Sequence, residues 1–437
     1  MGDVGHGPAD SPGSAATAQA LAQIAARRSY GRLLAFVAAR TRDIAAAEDA
    51  LAEAFASALQ RWPLDGVPTQ PEAWLLTAAR RRLIDAARRA ATQIDSAEEL
   101  LVLAQPAYAG DDHAGIGAMP AGHAAAADGH IPDDRLRLMF ACAHPGIAPE
   151  LRAPLMLQTV LGLDAASIAS AFRVAPSAMG QRLVRGKLRI RQAGIPFRVP
   201  EANELPERLG AVLAAIYTAY SEGWSDPAGA QPQQRALAEE ALWLGGLTAA
   251  LLPNEPEALG LLALMLYLEA RQAARRSAQG EFVPLDQQDV ALWDGGLIHQ
   301  AETLLKRAAA LQRHGRYQIE AALQSAHAAK HFGRATDWPA IVALYDALAA
   351  NTASPVVAIN RAVALAQVEG TAAGLAALEA VGGAPQVAHY QPYWAARAEL
   401  LSRSGQRAAA QSAYAMAIGL EIDPAVRRFL QRRAQAA

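Results

Sequence analysis

The sequence comprises 437 residues, a length that predicts two to four domains rather than one core. Aromatic residues make up 6% of the chain and alanine is abundant, a composition that favours closely packed helices over sheets. The single cysteine, Cys142, excludes an intramolecular disulfide, and the formal net charge of −2 neither indicates nor excludes a nucleic-acid partner.

The first residues do not resemble a targeting signal. Residues 1–19 are rich in Gly, Pro, Ala and Ser and are predicted to be disordered. They lack a charged and then apolar signal pattern, and no run of 18 apolar residues occurs in the sequence. We therefore expect a soluble cytoplasmic protein with no membrane partner.

Residues 20–91 show the apolar periodicity of helices. The first long segment has one apolar face, whereas Asp49 and Glu53 point the other way. This face consists of Ile44, Leu51, Phe55, Ala58 and Trp62. A Pro-containing break at 63–71 precedes a helix at 72–90, which is strongly cationic towards its end.

Residues 92–132 are predicted to be an acidic flexible linker. Eight carboxylates and no Lys or Arg lie between residues 92 and 134, and Pro and Gly are frequent. The segments on both sides are basic. This pattern predicts two cationic modules joined by an acidic linker.

Residues 133–200 are predicted to hold one helix and then two helices joined by a tight turn. Asp164 is a good N-cap for the first of these two, because its carboxylate can accept from unpaired N–H groups of the first turn. Ser177 is predicted to cap the second helix. In that helix the three- and four-residue spacing of four residues predicts a buried face: Met179, Leu183, Gly186 and Ile190.

The opposite face of this second helix is polar and flanked by cations. Its centre carries Ser177, Gln181, Val184, Arg185 and Leu188, with Arg182 and Arg189 on one side and Lys187 and Arg191 on the other. Such a face suits a helix in a DNA major groove, where central side chains meet base edges and flanking cations meet phosphates. A solvated basic helix in a bundle is the alternative, since two-helix turns are common.

Residues 201–437 are predicted to be helical and carry a net charge of −4, against +2 for residues 1–200. An internal repeat of 35 residues appears near the C-terminus. Leu365, Gly370, Leu375 and Leu378 align with Leu400, Gly405, Ala410 and Ala413. This period is typical of tetratricopeptide (TPR) hairpins, which stack into a solenoid with a concave surface. A non-repetitive helical bundle is the alternative, and the period at 201–334 is too weak to decide.

The ordered set of motifs resembles the extracytoplasmic-function (ECF) sigma factors of the sigma-70 family. The segments that carry the resemblance are IAAAEDALAEAF (44–55), AWLLTAARRRLIDAARR (73–89) and LGLDAASIASAF with SAMGQRLVRGKLRIR (161–191). The sequence YSEGW (220–224) and the TPR-like tail resemble the subgroup with a long C-terminal helical extension. Three positions depart from the family pattern: Ala52 stands for Gln, Arg81 for Asn and Ser167 for Glu.

The resemblance implies an all-α chain of four parts. These are a sigma region 2 bundle (20–91), the linker (92–132), a helix-turn-helix region 4 domain (133–200) and a C-terminal TPR-like solenoid (201–437). Such a factor binds core RNA polymerase, recognises promoter elements and starts transcription. The expected partners are the largest and the flap-bearing polymerase subunits, promoter DNA, and a regulatory protein or ligand on the C-terminal domain.

The resemblance also implies three sets of site residues, with no catalytic residue and no cofactor. The core polymerase set is Glu48, Asp49 and Glu53. The set for the melted downstream promoter element is Trp74, Arg80, Arg81, Arg82, Arg88 and Arg89, in which Trp74 is either a stacking platform or a core anchor. The set for the upstream duplex element is Ser177, Gln181, Arg182, Arg185, Lys187 and Arg189. Whether the extension inhibits or activates is left open.

Two other classes of function remain alternatives. A helix-turn-helix regulator would bind duplex DNA through residues 151–191 and a ligand or protein through the TPR-like domain, without core polymerase. An enzyme is the other class, but the sequence has no Gly-rich phosphate loop, nucleophile elbow or HExxH motif. Cys142 and His144 lack two further ligands at zinc-finger spacing, so no metal site is predicted.

Overall fold

The computed structural model describes residues 29–91, 134–172, 174–201, 203–224, 232–352, 354–383 and 385–437. In these ranges the regular elements are helices, and a lone β-bridge joins Arg276 and Phe282. The described residues are therefore consistent with the predicted all-α class. The predicted N-terminal disorder (1–19) and acidic linker (92–132) lie outside them. None of the helices described is long and apolar enough to cross a membrane.

The chain divides into two compact units, Met1–Glu222 and Gly223–Ala437. Among its described residues, the first unit contains the start of eight helices: α1 (29–41), α2 (Ile44–Asp65), α3 (Pro71–Ala91), α4 (Arg135–Cys142), α5 (Pro149–Leu161), α6 (Ala165–Ala171), α7 (Pro176–Gln192) and α8 (Leu205–Trp224). The domain boundary predicted after residue 200 differs from the division after Glu222. Near the start of α8, Arg208 is buried and its Nη2 donates to the Phe140 carbonyl of α4 at 2.8 Å, so the start of α8 contacts α4.

Helix α2 begins at a capped end and buries the predicted face. Asp43 is its N-cap, and its carboxylate accepts from the Ala46 N–H at 3.1 Å. The predicted apolar residues Ile44, Leu51, Ala58 and Trp62 are buried, while Phe55 is half-buried. The helix continues through Pro63 to Asp65, so the predicted break is shorter than 63–71. A proline near the last turn removes one hydrogen bond but keeps a helical φ.

Helices α1 and α3 are joined by polar contacts, and α2 and α3 by an aromatic pair. The Glu72 carboxylate of α3 accepts from the hydroxyl of Ser29 and pairs with Arg32, both on α1. Trp62 and Trp74 meet edge to face with ring centroids 5.7 Å apart. We call α1–α3 the first module.

Helices α4–α7 form the second module, and α6 and α7 are the predicted pair joined by a turn. Asp164 caps α6 as predicted, accepting from the N–H groups of Ala166 at 2.9 Å and Ser167 at 2.8 Å. The predicted cap at Ser177 is wrong, because α7 already begins at Pro176 and its N-cap is Ala175. Proline is favoured at the first helical position, because an N–H group there has no acceptor within the helix. The predicted buried face of α7 is confirmed.

The second unit is built from consecutive helices that pack on their neighbours. They are α9 (Pro232–Leu251), α10 (Pro256–Ala270), α11 (Gly295–Ala310), α12 (Arg316–Ala328), α13 (Trp338–Asn351), α14 (Pro355–Val368), α15 (Thr371–Gly382), α16 (Pro385–Ala388), α17 (Gln391–Arg403), α18 (Arg407–Leu420) and α19 (Pro424–Ala436). Three short 3₁₀ helices at 272–275, 285–287 and 290–292 lie between α10 and α11.

The two copies of the predicted repeat occupy corresponding places in two helix hairpins. Gly370 joins α14 to α15 and Gly405 joins α17 to α18, and both have positive φ, at 92° and 77°. Glycine suits both turns because it adopts positive φ without a Cβ clash. The aligned residues Leu375, Leu378, Ala410 and Ala413 are all buried. The assignment of these hairpins to a TPR solenoid stays a prediction.

Helix α19 packs against the segment 276–282 of the same unit. Arg276 pairs with Asp423, the N-cap of α19, and the Phe282 and Phe429 rings meet edge to face at 5.4 Å. Glu281 pairs with Arg428 at 2.9 Å and with Arg432 at 2.8 Å. We call these contacts the α19 clasp, which was not predicted from the sequence.

The cap at Asp164 leads to the first prediction. Asp164→Ala should destabilise α6 by about 1 kcal/mol, because two N–H groups of the first turn lose their acceptor. Amide hydrogen exchange of residues 166–170 should then be about fivefold faster. Asp164→Asn is the matched control, since its amide oxygen still caps the helix. Equal exchange rates in the two variants would contradict the capping role.

Candidate functional site

The outward face of α7 is open to solvent along the described length of the helix. Ser177, Gln181 and Arg185 are exposed, and the apolar side chains of Val184 and Leu188 between them are 61% and 46% exposed. Apolar side chains in a polar strip suit a duplex, where they can contact the thymine methyl group. Such a face can read base edges.

Three arginines border a groove beside this face. Arg182, Arg185 and Arg189 line a groove of about 400 Å³ together with residues 146–148, Glu150 and Leu151. Arg185 also donates from Nε to the Gln181 carbonyl at 3.3 Å, which orients its guanidinium along the helix. This side of α7 therefore concentrates positive charge, as predicted from its sequence.

On the other flank of α7, Arg191 is exposed as predicted, whereas Lys187 does not face solvent. Lys187 forms an ion pair with Glu48 of α2, and the two side chains are only 11% and 15% exposed. Arg191 pairs with Asp43 at 3.0 Å. At about 100° per residue, Lys187 lies roughly 40° from the buried Leu183, so a packed neighbour covers it readily. The expectation of an outward Lys187 is wrong in this structure, and its role in DNA binding stays a prediction.

The three acids predicted to bind core polymerase have different surroundings. Asp49 and Glu53 are exposed on α2, and Glu53 pairs with Arg82 of α3 at 3.1 Å. Glu48 is enclosed by α7. Burial raises the pKa of the Glu48 carboxyl, and the ion pair with Lys187 opposes that rise. Two of the three acids are therefore accessible in this structure.

Helix α3 presents most of its arginines to solvent. Arg81, Arg82, Arg88 and Arg89 are exposed, while burial lowers the pKa of the half-buried Arg80. Trp74 is half-buried against Trp62. This packing favours the core anchor over the stacking platform as the role of Trp74. The exposed arginines provide a cationic surface next to the acidic face of α2.

The two modules meet through residues that were not predicted from the sequence. A Cβ on Gly31 of α1 would overlap the carbonyl oxygen of Val160 on α5, so the two backbones touch there. Arg40 of α1 reaches Asp134, just before α4, at 3.4 Å. The available signal was Gly31 itself, because a glycine within a helical pattern weakens the helix and allows another backbone to approach closely.

The residues considered as a metal pair have ordinary structural partners. Cys142 is fully buried with its Sγ 3.4 Å from the Thr159 hydroxyl, and burial raises the pKa of its thiol to about 12. Nδ1 of His144 accepts from the Gly146 N–H at 3.0 Å. Within the described part of the chain, no three His, Cys, Asp or Glu residues gather as a metal site.

Known protein families match two parts of the chain, and a relative matches nearly all of it. An uncharacterized protein of Rhizobium meliloti (strain 1021) is 37% identical over 402 residues, which cover 92% of this chain and 91% of that protein. The chain belongs to the same family as this Rhizobium protein. Residues 26–93 match sigma-70 region 2, and residues 208–309 match a family of unknown function (DUF6596). No solved structure matches the chain.

The sigma-70 region 2 domain coincides with α1–α3, which are the helices of the first module. It supports membership of the sigma-70 family and points to a transcription factor rather than an enzyme. A domain of this kind implies binding to core RNA polymerase and to promoter DNA. The exposed acids of α2 and the exposed arginines of α3 both lie within it.

The enclosed ion pair leads to the second prediction. Lys187→Ala should lower the free energy of unfolding by about 3 kcal/mol, because it leaves Glu48 buried without its cation. Arg191→Ala is the control, because it breaks the more exposed pair with Asp43 and should cost less than about 1 kcal/mol. Both values would come from urea unfolding of the full chain.

The loss in Lys187→Ala should depend on pH. Without Lys187, burial and the neighbouring charge of Asp49 both raise the folded-state pKa of Glu48, and the opposing effect of the ion pair is lost. A raised folded-state pKa means that stability is present below the ordinary carboxyl pKa and is lost as the pH rises through the folded value. The deficit relative to the wild type should therefore be smaller at pH 5 than at pH 8. A deficit that does not change with pH would contradict an uncompensated carboxylate.

Proposed function

We propose that the protein is an ECF-type sigma factor that binds core RNA polymerase, recognises promoter elements and starts transcription. The sigma-70 region 2 domain over α1–α3 is the observation that carries this proposal. As part of the proposal, the protein acts in the cytoplasm and binds promoter DNA through α3 and α7. A regulator that works without core polymerase is the alternative.

Core polymerase is proposed to dock on the acidic face of α2. Asp49 and Glu53 project from this face, and neither belongs to the buried side that holds α2 in its module. The resemblance to ECF factors implies a cationic partner surface on the largest polymerase subunit. Opposite charges across such an interface mainly set the encounter rate and the register of docking. Glu48 would join this surface once its contact with Lys187 is released.

The melted downstream element is proposed to bind along α3. Its exposed arginines form a cationic track that can follow a single-stranded backbone, as non-specific strand binding requires. Capture of an unpaired base costs a few kcal/mol of stacking, which backbone contacts and a fitted pocket offset. The loop between α2 and α3 is proposed to contribute to that pocket.

The upstream element is proposed to bind α7 as a duplex. Gln181, Arg185 and Ser177 would face base edges, and Arg182 and Arg189 would contact phosphates on the flank that borders the groove. The exposed Val184 and Leu188 support base contact, because a helix that only tracks phosphates gains nothing from apolar side chains at its centre. Helices α6 and α7 are thus proposed to form a helix-turn-helix of region 4.

The C-terminal extension is proposed to modulate initiation. Residues 201–437 carry a net charge of −4, while residues 1–200 carry +2. A tethered acidic segment has a high effective concentration near the cationic helices that precede it in the chain. The proposed partner of this extension is a regulatory protein or ligand.

The third prediction concerns core polymerase. Asp49→Lys combined with Glu53→Lys should abolish detectable association with purified core RNA polymerase, because the charge of the docking face is reversed. Glu369→Lys with Glu379→Lys is the matched control, since these exposed acids of the second unit carry the same charge change. Retained polymerase binding by the first variant would contradict the docking face. Wild-type protein that binds DNA but not polymerase would favour the alternative regulator.

The fourth prediction concerns promoter recognition. Arg185→Ala should weaken binding of the polymerase complex to its cognate promoter by about 1–3 kcal/mol and relax the preference at one upstream base pair. Arg189→Ala should weaken binding to cognate and random duplexes alike, because phosphate contacts carry no sequence information. Binding constants of both variants would be measured on the two duplexes at one salt concentration. The same proportional loss on both duplexes for Arg185→Ala would contradict its role in base recognition.

A further inference from the structure

Helix α7 contains two glycines, and only one of them is explained by packing. An added Cβ at Gly186 would lie 2.9 Å from Leu155 Cδ1, so this glycine allows α7 to lie close to α5. An added Cβ at Gly180 would meet nothing within 4 Å. Glycine weakens the interior of a helix relative to alanine. The packing of the protein therefore gives no reason for a glycine at position 180.

Gly180 lies in an open hollow on the outward face of α7. The residues that line this hollow are Ser177, Gly180, Gln181, Val184 and Arg185. Gly180 and Val184 are four residues apart, so they are neighbours on the helix surface. Val184 is 61% exposed, and its side chain is an apolar wall beside the bare backbone of Gly180. The hollow thus offers an apolar surface within a face that is mostly polar.

We propose that this hollow receives the 5-methyl group of a thymine, so that Gly180 and Val184 select thymine at one position of the upstream element. The inference rests on the proposed function, in which α7 binds the promoter duplex. In the major groove the base edges present hydrogen-bonding groups, and the thymine methyl is the apolar group among them. An apolar surface gains from contact with this methyl group, because both are removed from water.

The missing side chain at position 180 lets a base edge approach the helix backbone. Glycine is the residue that permits such a close approach of a backbone to a ligand. A Cβ at this position would project into the hollow and take up space that the methyl group needs. Arg185 lines both the hollow and the arginine groove, so its guanidinium can bind the next base pair while the methyl group lies in the hollow.

Uracil separates the methyl group from every other feature of thymine. It has the same hydrogen-bonding groups and pairs with adenine in the same way, but it lacks the 5-methyl group. Burial of one methyl group corresponds to about a fourfold gain in affinity. The ratio of binding to matched thymine and uracil duplexes therefore measures the contact, whatever the rest of the promoter sequence is.

The test uses the full-length protein together with core RNA polymerase. Fully randomised duplexes are made in two pools, one with thymine and one with uracil in its place, and the sequences bound from each pool are compared. Thymine at one upstream position should be enriched in the first pool, and the corresponding preference should be absent from the second. In the selected duplex, a single uracil at that position should weaken binding about fourfold.

Two variants of the hollow should change this ratio in different ways. Val184→Ala should bring the thymine-to-uracil ratio close to one, because the apolar wall is lost. Gly180→Ala should reverse the preference, because the new Cβ takes the space of the methyl group and uracil restores that space. Urea unfolding of Gly180→Ala should show at least wild-type stability, since alanine favours a helix more than glycine does. Its weaker binding to thymine duplexes then cannot come from loss of the fold.

The matched controls carry the same substitutions outside α7. Val199→Ala and Gly210→Ala replace exposed residues, and an added Cβ at Gly210 meets nothing within 4 Å. Both controls should keep the wild-type ratio of thymine to uracil binding. A ratio that changes equally in the controls and in the hollow variants would overturn the assignment to Gly180 and Val184.

The remaining negative results also have distinct meanings. Selected sequences that bind equally well with thymine or uracil at every position would overturn the methyl contact and leave promoter recognition in place. A thymine preference that persists unchanged in both hollow variants would overturn its assignment to the hollow. Enrichment of no sequence from either pool would contradict the proposed function, and the thymine contact would be rejected with it.

Discussion

The rotation of α7 about its own axis determines where each charged residue of this helix lies. Met179, Leu183, Gly186 and Ile190 are buried against the module, and this fixes the rotation. An added Cβ on Gly186 would lie only 2.9 Å from Leu155 Cδ1, so α7 packs closely on α5. The directions of the remaining side chains follow from this rotation. The arginines of the groove lie on one flank, the centre faces solvent, and the other flank contacts α2.

The two flanks of α7 differ in whether their cations are arginine or lysine. Lysine is scarce in this chain, in which most of the 40 cationic residues are arginine. The exposed flank of α7 carries arginines, whose planar forks suit phosphates and base edges. The enclosed flank carries Lys187, a compact charge that meets Glu48 within a small space. The same helix thus has one flank suited to nucleic acid and another suited to a protein contact.

Much of each helix could be predicted from the sequence, because periodicity reports what a helix buries. The buried faces of α2 and α7 and the cap at Asp164 were predicted in this way. Periodicity does not identify the helix against which a buried face packs. The pairing of Lys187 with Glu48, 139 residues apart, was therefore not predicted. The cap at Ser177 was wrong because the adjacent Pro176 is the stronger signal for a helix start. The contact of Arg208 with a carbonyl 68 residues away was not predicted for the same reason.

The α19 clasp has a consequence for the order of events during synthesis. Glu281 meets Arg428 across 147 residues of chain, and Arg276 meets Asp423 across the same separation. At about 5–20 residues per second, a ribosome needs on the order of ten seconds to make the intervening chain. Throughout that interval the helices of the first unit are already outside the ribosome, while the second unit still lacks its closing helix. The newborn chain therefore presents its N-terminal surfaces before its C-terminal unit has matured.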